Sequence, residues 1–262
     1  MQGDRNAEPP SSLTDEDAAR GSNLAVENAR RLYADARLLL TNRRYASAVA
    51  LAILAIEESG KVPILLDIAS TQDAEMLRRF WRDYRSHTSK NAHWVLPFGE
   101  DFGAKTPEAL FDLYESGRHR QLLDEMKQRS IYTDRGAEGG WEHPDKSVPP
   151  EFAKYFVERA QMAVASWKAL SPAQVAQYRE VVGPRQEQAA REYEDARRRF
   201  TDEARRRGFK VPARYDDFVA SQTGWAPELI ALRAEMLDPI ADSWRQQFTA
   251  ALGLFVRGSS KT

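Results

Sequence analysis

The stretch "ASAVALAILAIEESGKVP", Ala46 to Pro63, decides the fold class. Between Ala46 and Ile56 only Ser47 is polar. A helix here has no wet face, and a helix apolar all round belongs at the centre of a bundle. The run is too short to span a bilayer and leads straight into Glu57 and Glu58. Gly60 weakens a helix and Pro63 lacks a backbone donor. The segment 44–69 is therefore predicted to kink or end within "EESGKVP".

The flanks supply partners for this buried helix. "TDED" (Thr14–Asp17) reads as an N-cap followed by acids in the first turn. Leu24, Leu32, Ala36 and Leu39 then recur at helical spacing to Leu40, with a break expected at Gly21-Ser22. A third helix is predicted over 72–93. After Pro97 the pattern is less regular, and the glycines and prolines of 132–150 mark a long loop. A fourth helix is predicted from Pro149-Pro150 to about Leu170. No stretch reads as a strand, so the fold class is all-α: an up-and-down four-helix bundle with a C-terminal helical extension. The expected organisation is a disordered tail at 1–12, the bundle at 13–170 and the extension at 171–262.

In the extension, "REYEDARRRFTDEARRRG" (Arg191–Gly208) reads as a charged helix ended by glycine. Leu229, Leu232, Met236, Ile240, Trp244, Phe248 and Leu252 form an apolar stripe, with Asp238-Pro239 as cap and first residue of a last helix. The arginines at 197–199 and 205–207 are interleaved with acids, which is the usual mark of a solvated face; an RNA-steering surface is the sharper alternative.

Composition narrows the chemistry. The 262 residues carry a net charge of −1, which argues against a surface coated in nucleic acid but allows a local basic site. There is no cysteine, so disulfides, thiolate nucleophiles and cysteine-ligated metals are all excluded. The N-terminal dozen residues lack the apolar stretch of a signal peptide, and a soluble cytoplasmic protein that meets no membrane is expected. The glycines of 135–143 follow no strand and end in no Gly-Lys-Ser/Thr, which excludes a phosphate-binding loop. His143 beside them reads as a surface residue. No Glu-x-x-His pair is present for a di-metal bundle site, and neither metal nor cofactor is expected.

One segment concentrates reactive groups. "FWRDYRSHTSK" (Phe80–Lys90) sets arginines, an acid and a histidine among aromatic residues. In a continuous helix Asp83 and His87 share a face, with Lys90 three further on. Asp83 would then accept a hydrogen bond from one ring nitrogen of His87 and leave the other for proton transfer. Arg82 would hold a phosphate bidentately and Lys90 would add a point charge. Arg82 and His87 are five apart, so one helix does not bring them together. These are the parts needed to cleave RNA without a metal. By spacing alone, a solvated helix with ordinary ion pairs is the commoner meaning. Glu57 and Lys61 likewise stand at the spacing of a helix ion pair; the alternative is a carboxylate pointing into the site.

"LAILAIEESGK" (Leu51–Lys61) followed by "FWRDYRSHTSK" resembles the AbiV family of abortive infection proteins, within the HEPN superfamily of helical bundles. That superfamily's signature is Arg, a polar residue, three further residues and His, and "RDYRSH" (Arg82–His87) fits it. "KQRSIYTD" (Lys127–Asp134), with Trp141 and Pro144 after it, resembles the tract between the third and fourth helices of AbiV-like proteins. The likeness covers residues 22–170. It implies a domain that often dimerises with two Arg–His motifs meeting across the interface, and an activity that is commonly metal-independent endoribonuclease in antiviral defence. Arg82, Asp83 and His87 are then the candidate catalytic residues, Lys90 and Arg85 the RNA-phosphate contacts, and Glu58 and Lys61 their support. RNA and a second copy of the chain are the implied partners. The alternatives are a non-catalytic helical module that binds a phage or host protein, and a nucleic-acid-binding partner of a separate enzyme.

Overall fold

The computed structural model describes residues 11–90, 118–135, 139–210, 227–229, 231–232 and 235–236. Contacts divide the chain into two compact units, residues 1–177 and 178–262. In the first unit, α1 (Asp15–Thr41) begins as its sequence dictates: the Thr14 hydroxyl accepts from the Asp17 N–H at 3.1 Å, and three acids occupy the first turn. Ala18, Ser22, Ala25, Ala29, Leu32 and Ala36 form a buried stripe at alternating four- and three-residue steps. The expected break at Gly21-Ser22 is absent. A Cβ on Gly21 would stand 3.4 Å from a Leu65 methyl, so glycine serves close packing of one helix on another. α1 ends on Arg43 in the left-handed region (φ 58°), with the Arg44 N–H bonded to the Leu39 carbonyl and the Arg43 N–H to that of Leu40.

The central helix is α2 (Tyr45–Ser59), followed through Gly60 by α3 (Lys61–Ser70). The expected kink is there. Pro63 falls in the first turn of α3, where a missing N–H costs no intrahelical bond. α2 packs against α1, α6 (Arg118–Ile131) and α8 (Pro150–Ala165), which makes these four helices the bundle. Ile53, Ile56, Leu123 and Phe156 are buried in its core, each worth about 1.5–3 kcal/mol of transfer free energy.

The third bundle helix is thus α6, not the 72–93 segment. That segment forms α4 (Ala74–Arg85) and a single turn, α5 (His87–Lys90), with Ser86 extended between them (φ −80°, ψ 129°); residues 91–93 lie outside the described residues. α4 starts on Asp73, whose carboxylate accepts from the Glu75 and Met76 N–H groups. Its apolar side, through Leu77, Phe80, Trp81 and Tyr84, joins Ile64 and Ile68 of α3 in a second cluster. Ser11 and Ser12, assigned by sequence to the tail, are tied here: Trp81 Nε1 donates to the Ser11 carbonyl at 3.1 Å, and the Ser12 hydroxyl to the Ile68 carbonyl at 3.0 Å.

The loop expected over 132–150 holds a two-residue antiparallel ladder, β1 (Asp134–Arg135) with β2 (Trp141–Glu142), and one helical turn, α7 (Pro144–Ser147). His143 caps that turn, its Nδ1 accepting from the Asp145 N–H, and stays exposed on the surface. α8 stops at Ala165, short of Leu170, whose backbone instead exchanges two hydrogen bonds with the Asn23 side chain on α1. α9 (Pro172–Arg206) continues beyond the first unit and is closed by Gly208 at φ 85° in a Schellman turn. Its arginines pair with acids one turn away: Arg197 with Glu194, Arg198 with Asp195 and Arg206 with Glu203, which also takes Arg207 just past the helix end. Leu229 and Leu232 of the apolar stripe are buried, while residues 240–252 of it and the Asp238-Pro239 cap lie outside the described residues.

Candidate functional site

A buried carboxylate near the end of the largely apolar α2 organises the site. Glu57 is 1% exposed. Its Oε1 accepts from Lys127 Nζ at 2.6 Å and its Oε2 faces His87 Nδ1 at 2.9 Å. An ionised group at this depth is tolerable only when its lone pairs are met by donors, and both oxygens are. Lys127 stands on α6 in line with Leu123, Met126 and Ser130, the buried face of that helix, and also pairs with Asp124 at 3.0 Å. Burial alone would lower the Lys127 pKa; its hydrogen bonds to Glu57 and Asp124 outweigh that and hold it above the ordinary lysine value.

Lys90, on α5, is also buried, at 7% exposure. Desolvation lowers its pKa against the attraction of Glu57, and Lys61 and Lys127 push the same way while Glu58 opposes them. Lys61 itself pairs with Glu58 at 2.6 Å and lies over the Tyr84 ring, 5.6 Å from its centroid. Three ammonium groups and three carboxylates therefore interleave around the α2–α3 joint. Among the described residues no three His, Asp or Glu side chains are placed to hold a metal ion together.

Gly60 lets α5 reach this joint. A Cβ at Gly60 would lie 1.9 Å from the Lys90 carbonyl oxygen, closer than any side chain can stand to a backbone atom. This contact presses α5 onto the end of α2 and sets His87 against Glu57.

The expected site is partly rearranged. The helix assumed to join Asp83 and His87 breaks at Ser86, whose N–H caps α4 by bonding the Arg82 and Asp83 carbonyls at 3.0 and 3.1 Å. Asp83 and His87 therefore do not share a helix face, and the carboxylate at Nδ1 of His87 belongs to Glu57. Lys90 lies inside beside Glu57 and Glu58 and not at the surface where a phosphate contact was expected. Lys61 pairs with Glu58, not with Glu57. Arg82 and Arg85 are exposed on the last turn of α4, where cations suit the helix terminus, and Arg78 continues their row one turn back. His87 is largely exposed beyond its bond to Glu57, with 64% of its side chain accessible.

Lys127, named by sequence only as the start of the AbiV-like tract, and Arg78 were not among the expected site residues. The signal for Lys127 was a lysine set among Leu123, Met126 and Ser130 at helical spacing, legible only once a helix is assigned there. For Arg78 it was the i, i+4, i+7 row with Arg82 and Arg85.

A family model described as AbiV, a HEPN family, matches residues 17–165, more than half of the chain. The match takes in the joint, the Arg82–His87 motif and Lys127. No curated protein and no solved structure matches the chain. The chain belongs to the AbiV family of HEPN proteins.

Proposed function

We propose that this chain is an abortive-infection effector that cleaves RNA without a metal, acting as a dimer through its Arg82–His87 motif. The observation that carries the reading is the 2.9 Å contact between His87 Nδ1 and buried Glu57. With Nδ1–H donated to Glu57, Nε2 is the nitrogen that takes or gives a proton. The reaction is an internal transesterification. His87 as general base removes the 2′-hydroxyl proton, the 2′-oxygen bonds to phosphorus, and the 5′-oxygen leaves with a proton from a general acid. The products are a 2′,3′-cyclic phosphate and a free 5′-hydroxyl. Arg82, bidentate on the non-bridging oxygens, stabilises the added negative charge of the phosphorane. Arg85 and Arg78 contact neighbouring backbone phosphates. Lys127 balances the charge of Glu57 and fixes its position, so that the imidazole is held before substrate arrives.

Wild type and His87→Ala, incubated with labelled RNA and EDTA, test this reading. Cleavage by wild type alone, leaving cyclic phosphate ends, is the expected result. Equal cleavage by both would place the activity elsewhere. Absence of cleavage by either would turn the assignment to a binding module that contacts a phage or host protein.

A further inference from the structure

Past the end of α6, the β1–β2 hairpin carries two aromatic rings that no core claims. Trp141 is 79% exposed and Tyr132, at the hairpin's foot, is 60% exposed. A tryptophan this open on a structured element is unusual, because its burial is worth more than that of almost any other side chain. Arg135 is the cross-strand partner of Trp141, so the two side chains leave the ladder on the same face.

The hairpin is held, not loose. Arg135 Nε donates to the Gly139 carbonyl at 3.1 Å across a turn in which Gly139 takes φ 83°. Glu142 pairs with Arg129 of α6 at 3.2 Å, and His143 caps the next turn. The same helix carries Lys127 into the candidate site. Four helical residues, a short extended stretch and one ladder spacing separate Lys127 from Trp141, at most about 25 Å between their Cα atoms.

We infer that Trp141, with Arg135 beside it, is a stacking platform for an unpaired base of the RNA strand whose backbone lies at Arg82 and His87. This rests on the nuclease reading and narrows its substrate to single strands. A flat ring and a guanidinium plane on one face accept a splayed base of any identity, whereas bases within a duplex are stacked on one another and offer no free face. Lys127 reaches the Glu57 carboxylate that holds His87, so the hairpin and His87 are tied through one helix and one buried ion pair.

The test measures binding apart from cleavage. In a His87→Ala background, fluorescence anisotropy compares a short single-stranded RNA with a duplex of the same sequence, for the parent, Trp141→Ala and Trp141→Phe. The expected result is an affinity for the single strand about tenfold weaker in Trp141→Ala, within the range of one base–aromatic stack, and largely restored in Trp141→Phe. The duplex binds more weakly and is indifferent to both changes. Equal single-strand affinity for parent and Trp141→Ala overturns the platform and assigns the exposed ring to a protein contact. So does a loss that phenylalanine does not restore, an equal loss on the duplex, or no RNA binding by the parent. If the platform result is obtained while wild type cuts no RNA, the platform stands and the nuclease reading alone fails.

Discussion

Lys90 and Lys127 are both buried beside the same carboxylate, yet burial acts on them in opposite senses. Lys127 has two carboxylate partners that repay its desolvation, and its pKa is raised; among the described residues Lys90 has attraction at longer range only, and its pKa is lowered. The consequences for stability have opposite sign. Below its folded pKa, Lys90 is charged in both states and the fold carries the full desolvation cost. As pH rises from that lowered value toward the ordinary 10.5, the unfolded chain keeps the proton while the folded chain loses it, so the cost is relieved. For Lys127 the contribution is favourable, fully present below 10.5 and lost as pH climbs through its raised folded value. Lys90→Met is therefore expected to stabilise the protein at neutral pH, by on the order of 1 kcal/mol, with the gain shrinking as pH rises from the lowered folded value toward the ordinary 10.5. Lys127→Met leaves Glu57 buried with one donor fewer and is expected to cost about 3–5 kcal/mol. Urea unfolding of the two variants and wild type at neutral and alkaline pH checks both signs; a destabilised Lys90→Met protein would refute the account of its burial.

Among elements, the decisive contact is the one between the end of α2 and the single turn α5, made possible by Gly60. The Lys90 carbonyl that a methyl would strike is backbone and cannot rotate aside. Gly60→Ala must therefore displace α5, and His87 with it. A cost of about 1–3 kcal/mol is expected from the overpacking, with helix content kept. On the proposed nuclease reading, cleavage is expected to fall about a hundredfold, because a catalytic group moved by an ångström loses its alignment. Circular dichroism and RNA cleavage measured together would show the two effects separating, and an alanine variant of full activity would remove α5 placement from the mechanism. Sequence revealed the glycine as a weak point in a helix, which it is, but not the approach it permits. Gly21 signalled a break that packing on Leu65 removes. Several local signals were nonetheless legible, among them the Thr14 cap, the apolar run of α2, the joint at Gly60–Pro63 and the stop at Gly208. Elements defined by distant partners were not. α6 is charged along most of its length and follows an irregular region, so its buried face emerges only from packing on α2. The Lys127–Glu57 pair spans 70 residues, which no spacing rule can reach. The break at Ser86 falls in a stretch with neither glycine nor proline to announce it.

At the scale of the whole molecule, the proposed nuclease activity poses the question of how Arg82 and His87 would meet on one phosphate across that break. Glu57 fixes His87 from one side, while Arg82 stays on the exposed turn of α4 before the chain changes direction at Ser86. A two-fold dimer answers it if the arginine of one copy serves the histidine of the other, since a two-fold axis places each residue of one subunit against its complement on the partner. The consequence can be measured by co-expressing two inactive chains, Arg82→Ala and His87→Ala, each with its own affinity tag. In the mixed dimer one composite site draws Arg82 from the His87→Ala chain and His87 from the Arg82→Ala chain, and is intact; the other site lacks both groups. Random assembly makes half of the dimers mixed, each with one working site of two, so about a quarter of wild-type cleavage is expected in the pooled sample. Tandem-tag purification of the mixed dimer alone should raise this to about half. If each site is instead built within a single chain, every site in every dimer lacks one group and the pool stays as inactive as either variant alone. A dimer that forms but never complements would thus keep the association and discard the shared site.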